Sequence, residues 1–267
     1  MGKLVALCDG HGANTAGKRS PDGMRENEFN KAVMNHLKVE LERHGLDTLL
    51  VAPTDADTSL STRTNLANAK NADIYVSIHA NANNGQWGSW GGIETYHYPN
   101  SKTGKKLADV IHNEVIKGSP LKNRGVKSAN FHVLRETKMP AILLELGFMD
   151  SRFDINYLKS DAYRQECAIE IAKGICKYFG ITYKEKQAPQ PTSNKYYRIQ
   201  IGAFSNSSNA KQYQEELLEK YNLKTIIKYY SNYHRVQIGA YSSKSNAIRY
   251  QEELLKKYNL KTIIKYY

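Results

Sequence analysis

Short apolar runs alternate with longer segments of helical apolar spacing over the first two thirds of the chain. Residues 26–43 carry apolar side chains at positions 29, 33, 37 and 41, which lie on one face of a helix that ends before a glycine. Apolar runs of four to six residues that stop at glycine or polar residues are typical of buried strands. The alternation predicts an α/β domain with a mixed, mostly parallel sheet and helices on both faces.

The same pattern gives approximate bounds for each element. Besides the apolar run that opens the chain, strands are predicted over residues 46–51, 73–79, 92–98, 131–135 and 141–145, and helices over 26–43, 60–72, 104–117 and 161–179.

The last third of the chain is a duplicated segment. Residues 196–230 and 233–267 align without gaps, with 27 identities in 35 positions, and each copy has the pattern of strand, helix and strand. Neither copy can bury its sheet face alone, so we predict a small α+β domain, a split ferredoxin-like βαβ-βαβ sheet with both helices on one face. A polar, proline-containing linker at 183–195 separates it from a first domain at 1–182.

Composition and charge narrow the class of protein. Hydrophobic residues make up 40% of the chain, and no apolar stretch is long enough for a membrane span. The start of the chain lacks the pattern of a secretory signal, and its three cysteines lie in apolar surroundings, so we expect buried thiols and a cytoplasmic protein. The net charge is +12, of which +8 falls from residue 195 onward, which favours a polyanionic partner such as nucleic acid, anionic lipid or a cell-wall polymer.

Four ionisable residues, His11, Glu26, His79 and Glu145, stand where short apolar runs break. Open α/β sheets bind ligands at the carboxyl ends of their strands, so these four side chains are expected to converge. Two imidazoles and one carboxylate can hold a tetrahedral zinc ion with one position open to water, and a further glutamate can accept the proton of that water. The pattern therefore indicates a zinc hydrolase.

The two copies of the duplicated segment share a short motif. It reads Gln-Ile-Gly-Ala-Phe-Ser at 200–205 and Gln-Ile-Gly-Ala-Tyr-Ser at 237–242, and each is followed by Asn-Ala at a helix start. On these motifs the segment resembles a SPOR domain of bacterial cell-envelope proteins. The resemblance implies binding to peptidoglycan glycan strands, particularly strands without stem peptides, across the open sheet face. The alternative is an RNA-recognition motif, which has the same topology but requires aromatic residues on its central strands. Here the outward positions of the first strands hold Arg198, Gln200, Arg235 and Gln237, so no nucleic acid is expected as a partner.

The first domain contains a series of short motifs in a fixed order. They are Asp-Gly-His-Gly at 9–12, Glu26 at a helix start, the segment 63–68, Ser-Ile-His-Ala-Asn at 77–81, the segment 130–135, and Leu-Leu-Glu-Leu-Gly-Phe at 143–148. On these motifs the domain resembles the zinc-dependent N-acetylmuramoyl-L-alanine amidases over about residues 3–180.

This resemblance implies that His11, Glu26 and His79 hold Zn²⁺ and that Glu145 is the catalytic carboxylate. The reaction it implies is hydrolysis of the amide between N-acetylmuramic acid and L-Ala of the stem peptide by zinc-activated water. Asp9 departs from the proline often found at this place in the family. Glu28 is the rival ligand to Glu26, but the two lie about 200° apart on a helix and cannot face one metal together.

Other interpretations of the function and of individual residues remain open from the sequence. A zinc peptidase of the cell envelope could use similar ligands. His132 lies in the family-like segment 130–135 and can approach the substrate, while Trp87 and Trp90 either line a sugar-binding rim or anchor a glycine-rich loop. A wall hydrolase without an export signal would wait in the cytoplasm for a holin or for lysis, as phage endolysins and mother-cell lysis amidases do, and the chain resembles both.

Overall fold

The computed structural model describes residues 2–185, 196–241 and 244–266, and the chain divides into two compact units, Met1–Glu185 and Lys186–Tyr267. Most of the predicted linker, residues 186–195, lies outside the described residues. Within the described ranges, no helix has both the length and the apolar character needed to cross a membrane.

The first unit is built on one six-stranded sheet. Its strands are β1 Leu4–Cys8, β2 Asp47–Leu50, β3 Ile74–Asn81, β4 Ile93–His97, β5 Asn123–Ser128 and β6 Ala141–Phe148. They lie in the order β2-β1-β3-β6-β4-β5, and all neighbours are parallel except β4 and β6. The predicted mixed, mostly parallel sheet is confirmed.

Helices cover both faces of this sheet, as predicted. They are α1 Glu26–Arg43, α2 Leu60–Ala69, α3 Lys102–Gly118, α4 His132–Arg135, α5 Asp154–Leu158 and α6 Asp161–Phe179. Helices α1, α3 and α6 pack their apolar residues onto the large core on one face, and α2 and α4 pack onto a smaller core on the other. The smaller helices leave part of the second face open at the carboxyl ends of β1, β3 and β6.

One prediction of secondary structure was wrong, and two elements, β5 and α5, were not predicted. Residues 131–135 were expected to form a strand but contain the helix α4, because a short apolar run has no clear period and its two central residues, Val133 and Leu134, are both buried against the smaller core. Strand β5 was not predicted, since it is a partly exposed edge strand of mostly polar sequence, Asn-Arg-Gly-Val-Lys-Ser.

The second unit has the predicted split ferredoxin-like arrangement. Its elements are β7 Tyr197–Phe204, α7 Ser207–Tyr221, β8 Ile226–Tyr230, β9 Tyr233–Tyr241, α8 Lys244–Tyr258 and β10 Ile263–Tyr266. The antiparallel sheet has the order β10-β7-β9-β8. Apolar residues of both helices share one core with Ile199, Val236 and Ile238, so both helices cover the same face.

Candidate metal centre and catalytic cavity

The candidate site lies at the carboxyl ends of three adjacent parallel strands. His11 follows β1, His79 lies near the end of β3, and Glu145 lies on β6 directly opposite His79 in the sheet register. Glu26 is the first residue of α1, which packs against β3. The structure therefore brings together the four residues singled out in the sequence.

Three of these residues form a potential metal-binding cluster. One donor atom from each of His11, Glu26 and His79 lies within 4.8 Å of the other two. His79 Nδ1 is 2.9 Å from Glu26 Oε1, and His11 Nε2 is 3.6 Å from Glu26 Oε2. Two imidazoles and one carboxylate are a donor set that suits zinc, with a place left for water or substrate. The ligand set itself stays a prediction.

The Glu26 carboxylate is almost fully buried, at 2% exposure, and is held in its charged form by its neighbours. Burial alone would raise its pKa, but the hydrogen bond donated by His79 and the nearby charge of Lys18 help to bring it well below its usual range. Asn30 Nδ2 and the backbone N–H of Ala80 donate further hydrogen bonds, at 3.2 and 3.3 Å. This carboxylate is thus anionic and placed to meet a cation.

The imidazole of His79 is oriented from both sides. While its Nδ1 faces Glu26, its Nε2 lies 3.0 Å from the Ser77 hydroxyl. A hydroxyl can donate to or accept from this nitrogen, so Ser77 can support either tautomer of the ring. Ser77 is fully buried and stands two residues before His79, on the same face of β3.

The loop that carries His11 is fixed by close packing and by Arg63. Gly10 has a φ of +69°, and a Cβ atom there would lie 2.7 Å from His79 Cε1, so only glycine fits. The buried guanidinium of Arg63 donates to the Gly10 carbonyl and, at 2.8 Å, to the Thr58 carbonyl. Burial lowers the pKa of His11 to about 4, which keeps its imidazole neutral and able to bind a metal.

Glu145 lines the cavity beside this cluster. Its Oε2 atom is buried and has no hydrogen-bond partner among the described residues. Burial, together with the negative charge of Glu26, raises its pKa well above the usual value. By contrast, the rival ligand Glu28 points into solvent and does not join the cluster.

Helices α2 and α4 form two walls of the cavity. Leu60 and Arg63 come from α2, and Phe131, His132 and Val133 come from α4 and the residue before it. The Nε2 atom of His132 is buried and has no partner among the described residues. The segment 130–135 therefore does border the candidate site, although as a helix rather than as the predicted strand.

The two tryptophans anchor a loop instead of lining this cavity. Trp90 Nε1 donates a 2.8 Å hydrogen bond to the buried Asp150, and Trp87 packs against the large core. Neither side chain is among the residues that line the cavity. Of the two readings left open by the sequence, the structure favours the anchor of a glycine-rich loop.

Several residues of the site were missed in the sequence. Ser77 and Asn30 could have been found from spacing, because residue i+2 on a strand and residue i+4 on a helix share a face with His79 and Glu26. Asn27, whose Nδ2 donates to the His11 carbonyl at 2.7 Å, had no such signal. Lys18, which lines the cavity, lies in an irregular loop where periodicity says nothing.

Comparison with known proteins agrees with this arrangement. The N-acetylmuramoyl-L-alanine amidase family (Amidase_3) matches residues 5–177, and the SPOR domain family matches residues 193–265. The N-acetylmuramoyl-L-alanine amidase CwlM of Bacillus licheniformis is 36% identical over 209 residues, 77% of this chain and 77% of that protein. The endolysin of Bacillus phage SPP1 is 34% identical over 208 residues, 73% of this chain and 74% of that protein. A solved N-acetylmuramoyl-L-alanine amidase of Nostoc punctiforme shares the fold with a TM-score of 0.63 and 35% identity, covering 67% of this chain and 97% of that one.

Proposed function

This chain belongs to the N-acetylmuramoyl-L-alanine amidase family and is a peptidoglycan amidase, and we propose that it works with a zinc ion held by His11, Glu26 and His79. The bond it cleaves joins N-acetylmuramic acid to the L-Ala of the stem peptide. The observation that carries the proposal is that the two histidines of this cluster and Glu145 line one cavity. In this proposal Glu145 is the proton acceptor.

The residues present fit zinc on their own chemistry. Glu26 is a buried, charged carboxylate, which is costly in a protein interior unless a cation or several donors compensate it. The neutral His11 imidazole and the Ser77-supported His79 imidazole supply two nitrogen donors beside it. When bound, zinc polarises a carbonyl and lowers the pKa of water toward neutrality.

The chain's own residues account for the movement of protons. Burial makes the Glu145 carboxylate a stronger base than a solvated glutamate, so it can take a proton from the attacking water. The same carboxyl group can then give that proton to the departing amine of L-Ala. Asn30 and Ser77 hold the side chains of Glu26 and His79, and Asn27 holds the backbone of His11.

Mass spectrometry of digested peptidoglycan tests the chemistry directly. Purified peptidoglycan treated with the full chain should release free stem peptides that begin with L-Ala. Glu145→Gln should lower turnover by about two orders of magnitude or more while its zinc content stays that of the parent. The exposed Glu28→Gln is the matched control and should change neither quantity. Products that show cleavage within the peptide would instead indicate a zinc peptidase.

The sheet face of the second unit supports binding to an anionic wall polymer. On the face opposite the helices, Lys265 lies directly beside Arg198 and Lys228 lies directly beside Arg235. Like charges opposite one another destabilise a sheet, so two such pairs favour an anionic ligand on this face. We propose that the ligand is the glycan strand, in which each amidase cleavage exposes a carboxylate.

The two glutamines of this face are less exposed than the sequence predicted. Gln200 and Gln237 lie side by side at its centre but are nearly buried, at 9% and 1% exposure, and Arg235 Nη1 donates to Gln200 Oε1 at 3.0 Å. Gln200 therefore serves to position Arg235 as much as to meet a ligand. The arginines and lysines are the more accessible contacts.

A charge-matched pair of variants tests wall binding. Arg198→Gln/Arg235→Gln removes two positive charges from the sheet face, and Lys211→Gln/Lys220→Gln removes two from α7. In pull-downs with purified peptidoglycan, the first variant should lose most of its binding and the second should keep it, with added salt weakening the interaction. Equal losses in both variants would mean that only net charge matters. Retention of RNA by a chain that ignores peptidoglycan would support the RNA-binding alternative.

A further inference from the structure

Lys18 presents an ammonium group at the rim of the catalytic cavity. Its side chain is 45% exposed, and its Nζ lies 3.9 Å from Glu26 Oε2, the one ion pair found for it among the described residues. The backbone beneath it is well fixed, because the Lys18 carbonyl accepts a 3.0 Å hydrogen bond from the Glu26 N–H and residues 19 and 25 form a β-bridge. The side chain can move while its anchor stays in place.

The ion pair with Glu26 is too weak to explain why a lysine occupies position 18. A separation of 3.9 Å is at the outer limit of an ion pair, and Glu26 already receives donors from His79, Asn30 and Ala80. In the proposed function a metal cation also takes the charge of Glu26, which removes most of the attraction for Lys18. The ammonium group then has no other ion pair within 4.0 Å among the described residues, and its charge acts on Glu145 across the same cavity.

Arg63, the other cationic side chain that lines the cavity, already has its own hydrogen-bond partners. Arg63 is 2% exposed and donates to two backbone carbonyls, and its Nη2 lies 3.3 Å from Asp57. It therefore holds the His11 loop and cannot turn toward a ligand. Among the described lining residues, Lys18 is the cation with the freedom to do so.

The chemistry of the substrate says which anion this lysine can meet. Before cleavage the lactyl carboxyl of the muramic acid is part of the amide bond, so the sugar carries no charge there. A negative charge close to the scissile bond must then come from the stem peptide. We propose that Lys18 is a substrate-binding residue that recognises a carboxylate of the stem peptide, on the residue that follows L-Ala. This inference rests on the proposed function.

Two synthetic substrates and three variants test the assignment. The substrates are N-acetylmuramoyl-L-alanyl peptides that are identical except for a free carboxylate or a carboxamide on the second residue. The variants are Lys18→Met, which keeps the length of the side chain, Lys18→Arg, which keeps the charge, and Lys105→Met as control. Lys105 is an exposed lysine on α3, ion-paired with Asp109 and outside the cavity.

The parent chain should prefer the free carboxylate by about tenfold in kcat/KM, as expected of one charge-assisted hydrogen bond. Lys18→Met should reduce this preference to about one, mainly through KM, while Lys18→Arg and Lys105→Met keep most of it. Calorimetric binding of both peptides to Glu145→Gln, with and without Lys18→Met, should show the same loss without any turnover. The preference should shrink as ionic strength rises.

The failures of the two proposals are distinguishable. If Lys18→Met keeps the preference in both kinetics and binding, or if the parent shows none while it cleaves both peptides, the assignment of Lys18 is wrong and the amidase function stands. If neither peptide nor purified peptidoglycan is cut at the L-Ala amide, the proposed function itself fails.

Discussion

Asp150 is the buried carboxylate that holds the loop after β3, and its replacement should destabilise the first unit. It is completely buried, and its Oδ2 accepts hydrogen bonds from the backbone N–H groups of Asn83, Asn84 and Gly85 at 2.8, 2.9 and 2.9 Å. Its Oδ1 accepts the Trp90 Nε1–H at 2.8 Å. In Asp150→Asn one oxygen becomes an NH₂ group, so at least one of these donors must face another donor.

The expected cost follows from the type of bond lost. Hydrogen bonds to a charged acceptor contribute about 1.5–3 kcal/mol each, and a buried donor without a partner costs about 1–3 kcal/mol. If the remaining amide oxygen keeps the three backbone donors, Asp150→Asn loses the charge and the Trp90 contact, about 3 kcal/mol in all. For a unit of this size that corresponds to a fall in Tm of about 6–12 °C.

Tryptophan fluorescence is the suitable assay, because both tryptophans of the chain, Trp87 and Trp90, lie in the first unit. Trp90→Phe is the matched partner variant, since it removes the indole donor and leaves Trp87 as the reporter. The stability loss of the double variant Asp150→Asn/Trp90→Phe should be about 1 kcal/mol smaller than the sum of the two single losses, because the contact between two donors is gone. An Asp150→Asn protein within about 0.5 kcal/mol of the parent would refute this reasoning.

Three further predictions concern the site, the sheet and the tail. Ser77→Ala should weaken zinc binding about 10- to 100-fold, measured by competition with a chelator, because the second hydrogen bond of the His79 ring is lost. Glu94 is buried. Burial raises its pKa, but hydrogen bonds from Lys127, Tyr96 and Arg124 bring the pKa below the usual 4.5. The charged Glu94 therefore contributes its full stabilisation above pH 4.5, and this contribution is lost as the pH falls below that value. Urea unfolding of the parent and of Glu94→Gln across pH 3–7 should therefore converge at the acid end. Neither repeat of the tail should fold when expressed alone, as circular dichroism of residues 233–267 would show, because each strand pair of the antiparallel sheet joins the two copies.

Local patterns in the chain were sufficient for much of the fold. Helix α1 begins and ends at the predicted residues, 26 and 43, because its apolar stripe and the following glycine are signals contained within the helix itself. The duplicated tail was equally accessible, since two near-identical copies that each lack a partner face imply one shared sheet. Buried parallel strands are also recognisable from local sequence, because each is a short apolar run. These runs placed His11, His79 and Glu145 at the carboxyl edge of one sheet.

Elements whose partners are distant in sequence were not accessible in this way. Residues 132–135 are too few for a period to distinguish helix from strand, and their packing under α2 decided the outcome. Strand β5 has little apolar signal because it lies at the edge of the sheet, where half of its surroundings are solvent. The role of Trp90 could not be predicted either, because its hydrogen-bond partner Asp150 is 60 residues away in the sequence.

The sequence by itself determined the class of fold, the repeated tail and the residue types of the candidate metal site, because hydrophobic period and residue chemistry are local properties. Only the tertiary structure decided that His11, Glu26 and His79 place donor atoms within 4.8 Å of one another, that Ser77 bonds one of them, and that Lys18 lines the adjacent cavity. Those facts depend on which strands become neighbours and on how loops close over their ends. Such distances arise from packing between segments far apart in the chain, and no local pattern encodes them.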